Sequence, residues 1–174
     1  VATVLLCDQG ADVIKIESPQ GDIVRQMGAG EADVSPSFLT ANRGKRSLAI
    51  NLKEKQGTEI VKKLVLEADV FVQNFRPGVI ERIGLGYGVL KEINPRLLYV
   101  SISGFGEIGP YAQKRVYDPV IQALTGLPDI QADNENSRPK MVRTIIPDKV
   151  TAMTAAQAIT AGLFERERGK GDGQ

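Results

Sequence analysis

The sequence has no histidine, one cysteine (Cys7) and only 5% aromatic residues in 174. Without imidazole, Ser-His-Asp hydrolysis, Cys-His proteolysis, HExxH metallochemistry and nearly all zinc sites are excluded. One cysteine cannot close an internal disulfide, which points to a reducing cytoplasm, and Cys7 lies in an apolar run where its thiol is expected to be inert. Charge of one sign is equally short. Lysine and arginine number 22 against 21 acidic residues, so the net charge supplies no field that would draw nucleic acid or a membrane surface. No run approaches the ~20 apolar residues of a spanning helix, and no charged leader precedes an apolar segment. The expected protein is neither exported nor membrane-bound.

The 42% hydrophobic and 25% charged residues are those of an ordinary globular chain, and one domain is the default. A chain of this length buries roughly 70% of the surface its unfolded form exposes, enough for a core without staples.

Helical and extended signals alternate along the chain, with no repeats or low-complexity tract. Val1 to Gln9 reads as the tail of an apolar helix closed by Gly10 in a left-handed cap. Asp12 to Glu17 alternates apolar and polar positions and stops at Ser18-Pro19, which predicts a strand and then a loop. Residues 20–45, rich in Gly, Ser, Pro and charge, form a long connection with a short helix near Phe38 to Asn42. Connections of that length usually serve a function. Further strands are expected at Ser47 to Asn51, Asp69 to Gln73 and Leu97 to Ser103. Between them lie a helix from Lys53 to Ala68, with Ile60, Val61, Leu64, Val65 and Ala68 on one face, and two short helices near Gly78 to Ile83 and Gly88 to Ile93. Strands separated by helices imply parallel pairing with right-handed crossovers, hence an α/β layered sheet. Beyond Gly104 follow a glycine-proline loop, a helix near Asp118 to Thr125, an exposed loop from Pro128 to Lys140, and a long helix from Asp148 to Arg168.

Several residues invite a chemical reading. Gly84-Leu-Gly-Tyr-Gly88 has the look of a phosphate loop, but no strand leads into it and the helix after it is short. Glu17 could hold a ribose; with no GxGxxG upstream, a surface carboxylate at a strand end is the simpler reading. Arg43, Lys45, Arg46, Lys53, Arg76, Arg82, Lys114 and Arg115 lie mostly at strand ends or in loops. There they either face solvent or hold the phosphates of a ligand beyond the carboxyl ends of the strands. Asn74-Phe-Arg-Pro-Gly78 is more pointed, because it sets an amide, an aromatic face and a guanidinium at one strand end. Asp148, in Ile145-Ile-Pro-Asp-Lys149, stands just before an apolar helix. It is expected to cap the helix, with the dipole keeping it ionised. An ionised carboxylate beside a deep loop can equally be a nucleophile, and the two roles are compatible.

Five strings occur in register: Gly10-Ala-Asp-Val-Ile-Lys-Ile-Glu17, Asn42-Arg-Gly-Lys-Arg-Ser47, Asn74-Phe-Arg-Pro-Gly78, Asn94-Pro-Arg96 and Ser101-Ile-Ser-Gly-Phe-Gly106. Together they resemble the class III CoA-transferases, the CaiB/BaiF family. The resemblance implies a Rossmann-like, mostly parallel sheet flanked by helices and ending in a long helix. It also implies an acyl-CoA enzyme whose two subunits interlock as a homodimer. The resemblance implies that an aspartate attacks the donor thioester to give a mixed anhydride, that the released CoA thiolate converts this to an aspartyl-CoA thioester, and that the acceptor carboxylate attacks the thioester before CoA returns to complete the exchange. By position that aspartate is Asp148. Lys53 and Arg82 match residues near the nucleotide phosphates of CoA, Asn74 and Phe75 those near adenine and pantetheine, and Arg115 and Tyr117 the approach to the nucleophile. No metal is implied.

The racemase branch of the family resembles a His-Asp pair where this chain reads Tyr117-Asp118, and the missing histidine disfavours it, since epimerisation needs two acid/base groups. Val1 opens in mid-element and the chain stops in a glycine-rich turn, so both ends read as cut. Residues 1–174 are then expected to be part of the large domain, with the small domain and the return segment outside, and to show little CoA transfer alone. The competing expectation is a non-catalytic CoA-binding module.

Overall fold

The computed structural model describes residues 1–28, 34–134, 136–169 and 172–173. Part of the long 20–45 connection therefore lies outside the described residues. The chain runs α1 (Ala2–Asp8), β1 (Ile14–Glu17), a 3-10 turn (Ile23–Gln26), α2 (Pro36–Asn42), β2 (Arg46–Ala49) and α3 (Lys55–Val65). It continues through β3 (Val70–Gln73), α4 (Val79–Arg82), α5 (Tyr87–Ile93), β4 (Leu98–Ser101), α6 (Asp118–Leu124), α7 (Leu127–Ile130) and α8 (Ile146–Glu167).

Both strand pairs are parallel, as strands joined by helical crossovers must be. β1 pairs with β2 from Ile14 opposite Arg46 to Glu17 opposite Ala49, and β3 with β4 from Val70 opposite Leu98 to Gln73 opposite Ser101. The expected single sheet is resolved into two ladders, β1-β2 and β3-β4, with no pairing between them among the described residues. What joins them is apolar burial. Ile50, Val61, Val65, Ile80, Leu85, Leu90 and Leu97 form one buried cluster, onto which Ile16 and Leu48 of one ladder and Phe71 and Tyr99 of the other pack. The Phe71 and Tyr99 rings stack at 5.3 Å, and the Tyr99 hydroxyl donates to the Leu85 carbonyl (3.2 Å). Burial pushes that phenol up to about 12.

The helix boundaries have local causes. Ser35 caps α2, accepting from the Phe38 N–H (3.0 Å), and Pro36 opens it. Gly57 sits in the first turn of α3, where a Cβ would lie 2.2 Å from the Asn51 carbonyl oxygen, so the helix can approach the end of β2 only with glycine there. The Pro128–Lys140 segment is not wholly a loop. Its start is the single turn α7, opened by Gly126 in a left-handed conformation and by Pro128.

A second layer is built on α8. Ala152, Ala156 and Ile159 are buried, as are Ala2 and Val4 of α1, which packs across α8 beside α6. At its far end Arg166, 8% exposed, donates to Asp69 (2.6 Å) and to the Arg96 carbonyl (3.0 Å), tying α8 to the chain just before β3 and β4.

Glu17 corrects the expectation of a surface carboxylate. It is 6% exposed and takes both arms of Arg25 (3.0 and 2.8 Å), the Ser47 hydroxyl (2.8 Å) and the Asp22 N–H (3.0 Å). These donors, led by Arg25, hold its pKa down at about 2. Both carboxylate oxygens that burial strips of water thus find donors, which is what makes the burial tolerable.

Candidate active site

Beyond the carboxyl ends of β3 and β4 the chain turns away from the ladder in two loops, and the space between them and the head of α8 is a cavity of about 500 Å³. Asn74, Phe75 and Arg76 line it from the loop after β3, and Ile102, Ser103 and Gly104 from the loop after β4. Lys114, Arg115 and Tyr117 form a further wall, with Asp118 of α6 and Pro147 and Asp148 of α8 opposite. At Gly104 a Cβ would sit 1.8 Å from Val116 Cγ1, so glycine lets the loop after β4 fold back on itself beside the cavity. Ligands collect at this end of parallel strands because successive crossovers diverge there.

Five of the seven residues expected from sequence come together on this cavity: Asp148, Asn74, Phe75, Arg115 and Tyr117. Lys53 and Arg82 do not line it. Lys53 is exposed between β2 and α3, and Arg82 is exposed in α4. A molecule touching all seven would have to extend out of the cavity across the surface.

Asp148 is not the cap of α8, which corrects the sequence reading. The helix starts two residues earlier, at Ile146, and its N-cap Ile145 has no side chain able to accept a hydrogen bond. Pro147 is restricted to helical φ and needs no donor partner, so it extends the helix ahead of Asp148. The cap comes from another helix. Asp118 Oδ2 accepts the Asp148 N–H (3.2 Å), and Gln122, one turn further along α6, donates to Asp118 Oδ1 (2.6 Å). The Asp148 pKa is raised above the ordinary aspartate value, first by partial loss of water and then by the Asp118 charge. Loss of water and the neighbouring carboxylate thus both act against the ionised form that the helix head was expected to favour.

Sequence reasoning missed Asp118 as a support for Asp148, and Gln122 altogether. Their signal was two polar residues at i and i+4 in an otherwise apolar stretch, a spacing that puts both on one helix face. Of the cations weighed, Arg43 pairs with Asp8 and Arg46 with Asp12. Lys114 lies over the Tyr111 ring at 3.9 Å. Among the described residues no group of three or more His, Cys, Asp and Glu is placed to hold a metal ion, and no helix is long and apolar enough to cross a membrane.

Fold and cavity together define an α/β protein with a carboxylate at a helix head facing a cation-bearing cleft. The chain belongs to CoA-transferase family III, which matches residues 1–174. It is 42% identical over 175 residues to succinyl-CoA:glutarate CoA-transferase of Mus musculus, covering 98% of this chain and 39% of the relative. With formyl-CoA:oxalate CoA-transferase of Streptomyces coelicolor it shares 41% over 167 residues, covering 95% and 40%. The crystal structure of a CAIB/BAIF family protein from Brucella suis superposes with a TM-score of 0.88 at 41% identity, over 97% of this chain and 46% of that one. The chain thus spans less than half the length of these relatives.

Proposed function

We propose that this chain carries the nucleophile-bearing part of the large domain of a CoA-transferase, with Asp148 as the nucleophile. The observation that carries the reading is the convergence of Asp148, Asn74, Phe75, Arg115 and Tyr117 on one cavity. A CoA thioester needs an amide partner for pantetheine, an aromatic face for adenine and cations for phosphates, and those side chains supply the chemistry. Lys53 and Arg82 would meet the outer, phosphate-bearing part of the ligand.

In this reaction an Asp148 carboxylate oxygen attacks the donor thioester carbonyl, the C–S bond breaks and CoA leaves as the thiolate, giving a mixed anhydride. The thiolate attacks the aspartyl carbon and expels the donor carboxylate, leaving an aspartyl-CoA thioester. The acceptor carboxylate attacks that thioester and frees the thiolate, which then takes the acceptor acyl group and restores Asp148. Attack requires ionised Asp148, and a proton affinity somewhat above the ordinary also makes it a better nucleophile when ionised. The two curated relatives above are named for glutarate and oxalate, both dicarboxylates. Arg115 and Lys114 on the cavity wall offer a counter-charge for the second carboxylate of such an acceptor. The reading includes coenzyme A as substrate, no resident metal, no nucleic acid or membrane partner, a homodimeric full-length enzyme and a cytoplasmic location.

The test is calorimetry with CoA and acetyl-CoA, joined to hydroxylamine trapping of the aspartyl-CoA thioester. Binding with trapping that disappears in Asp148→Ala is the expected result. Trapping that survives in that variant overturns the nucleophile, and binding without any trapping favours a non-catalytic CoA-binding module.

A further inference from the structure

Gln122 is only 2% exposed, and its amide is fully used. Its Nε2 donates to Asp118 Oδ1 (2.6 Å), to the Thr144 carbonyl (3.1 Å) and, more weakly, to the Val142 carbonyl (3.4 Å), while its Oε1 accepts the Val142 N–H (3.0 Å). The orientation of the amide is fixed by chemistry, since a carboxylate needs the donor end and an N–H needs the acceptor end. Residues 142–144 lead directly into α8. One side chain therefore fixes both the rotamer of Asp118 and the height at which the chain enters the helix that carries Asp148. The Asp148 N–H has no intrahelical acceptor, being in the first turn, and its partner among the described residues is Asp118.

We infer that Gln122 is the positioning residue for Asp148: it clamps Asp118 and the 142–144 segment so that the carboxylate is held at one place on the cavity wall. The inference rests on the nucleophile reading proposed above. Gln122 does not line the cavity and so acts through its neighbours. Its shape is not what matters. In Gln122→Glu, a side chain of the same size would keep the Val142 N–H contact but set a second acceptor against Asp118 in place of a donor. Adding Asp118→Asn would restore the bond between positions 118 and 122 with its polarity reversed, the new amide donating to the carboxylate and still accepting the Asp148 N–H, while the Thr144 and Val142 carbonyls would still lack the donor that Gln122 Nε2 supplies.

The experiment compares Asp148→Ala, Gln122→Glu, Asp118→Asn and the double variant D118N/Q122E in the full-length enzyme that carries this chain. Two readouts are taken: hydroxylamine trapping against acetyl-CoA concentration, and hydrogen exchange of the Asp148 amide by NMR. For Gln122→Glu the expected result is a trapping rate at saturation about tenfold or more below wild type with half-saturation unchanged, a loss in line with small misplacement of a reacting group. The Asp148 amide should exchange about tenfold faster while the Ile159 amide in mid-helix is unmoved, as local opening requires. The double variant should recover both readouts in part relative to Gln122→Glu, a recovery that mere loss of packing would not produce. If Asp148→Ala abolishes trapping but Gln122→Glu traps at the wild-type rate, the positioning role is overturned and the nucleophile stands. Trapping that survives Asp148→Ala overturns the nucleophile. Unchanged protection of the Asp148 amide in Gln122→Glu overturns the clamp whatever trapping shows.

Discussion

Glu17 makes acid stability a quantitative matter. Its pKa is depressed from 4.5 to about 2 by donors headed by Arg25. A depressed carboxylate stabilises the fold fully above its unfolded value, and the contribution fades as pH falls through the folded one. At 1.36 kcal/mol for each pKa unit, the shift corresponds to about 3 kcal/mol at neutral pH, of which about 2 kcal/mol is gone by pH 3. Other acids titrate over the same range, so the measurement is a difference. Urea unfolding followed by circular dichroism at intervals from pH 7 to pH 3 should show wild type and Glu17→Gln converging by about 2 kcal/mol on the acid side. Arg25→Met should behave alike, because the guanidinium holds both carboxylate oxygens. Parallel curves, differing by a constant at every pH, would refute the reasoning, for they would mean that Glu17 ionises alike in folded and unfolded chains.

Further outcomes follow from the same geometry. Asp118→Asn removes the negative charge that helps raise the Asp148 pKa; the acid limb of hydroxylamine trapping should move to lower pH, and a limb that stays or moves up contradicts the charge argument. Gly104→Ala drives a methyl into Val116 and should cost about 1–3 kcal/mol, the usual cost of overpacking, read as a lower urea midpoint. Arg115→Ala should weaken inhibition of trapping by glutarate more than inhibition by butyrate, and equal losses would count against a counter-charge for the second carboxylate.

Periodicity made all four strands and the helices that separate them legible, because each buries one apolar face and the pattern records which. What stayed hidden depended on partners distant in sequence. Glu17 reads as a strand-end surface acid until Arg25 and Ser47 fold onto it. Asp148 reads as a cap until the helix starts earlier and Asp118, 30 residues upstream, takes that task. Five of the cavity's residues were legible, since Asn74 and Phe75 follow β3, Arg115 and Tyr117 precede α6 and Asp148 lies in the first turn of α8, where strand ends and a helix head meet. Lys53, in the turn between β2 and α3, and Arg82, at the end of α4, are exposed and lie off the cavity. The split of the sheet into two ladders leaves no local mark, since a strand's pattern reports its faces and not its neighbour.

The Arg166 anchor gives α8 the character of a strut under load at both ends. From Asp148 to Arg166 the helix covers about 27 Å at 1.5 Å per residue, from the open ends of β3 and β4 to the loops that feed them. A ligand gripping the head of such a rod stiffens its foot as well. Coenzyme A should then slow exchange of amides around Asp69 and Arg96, which do not line the cavity, and Arg166→Met should cut that connection while leaving the cavity residues in place.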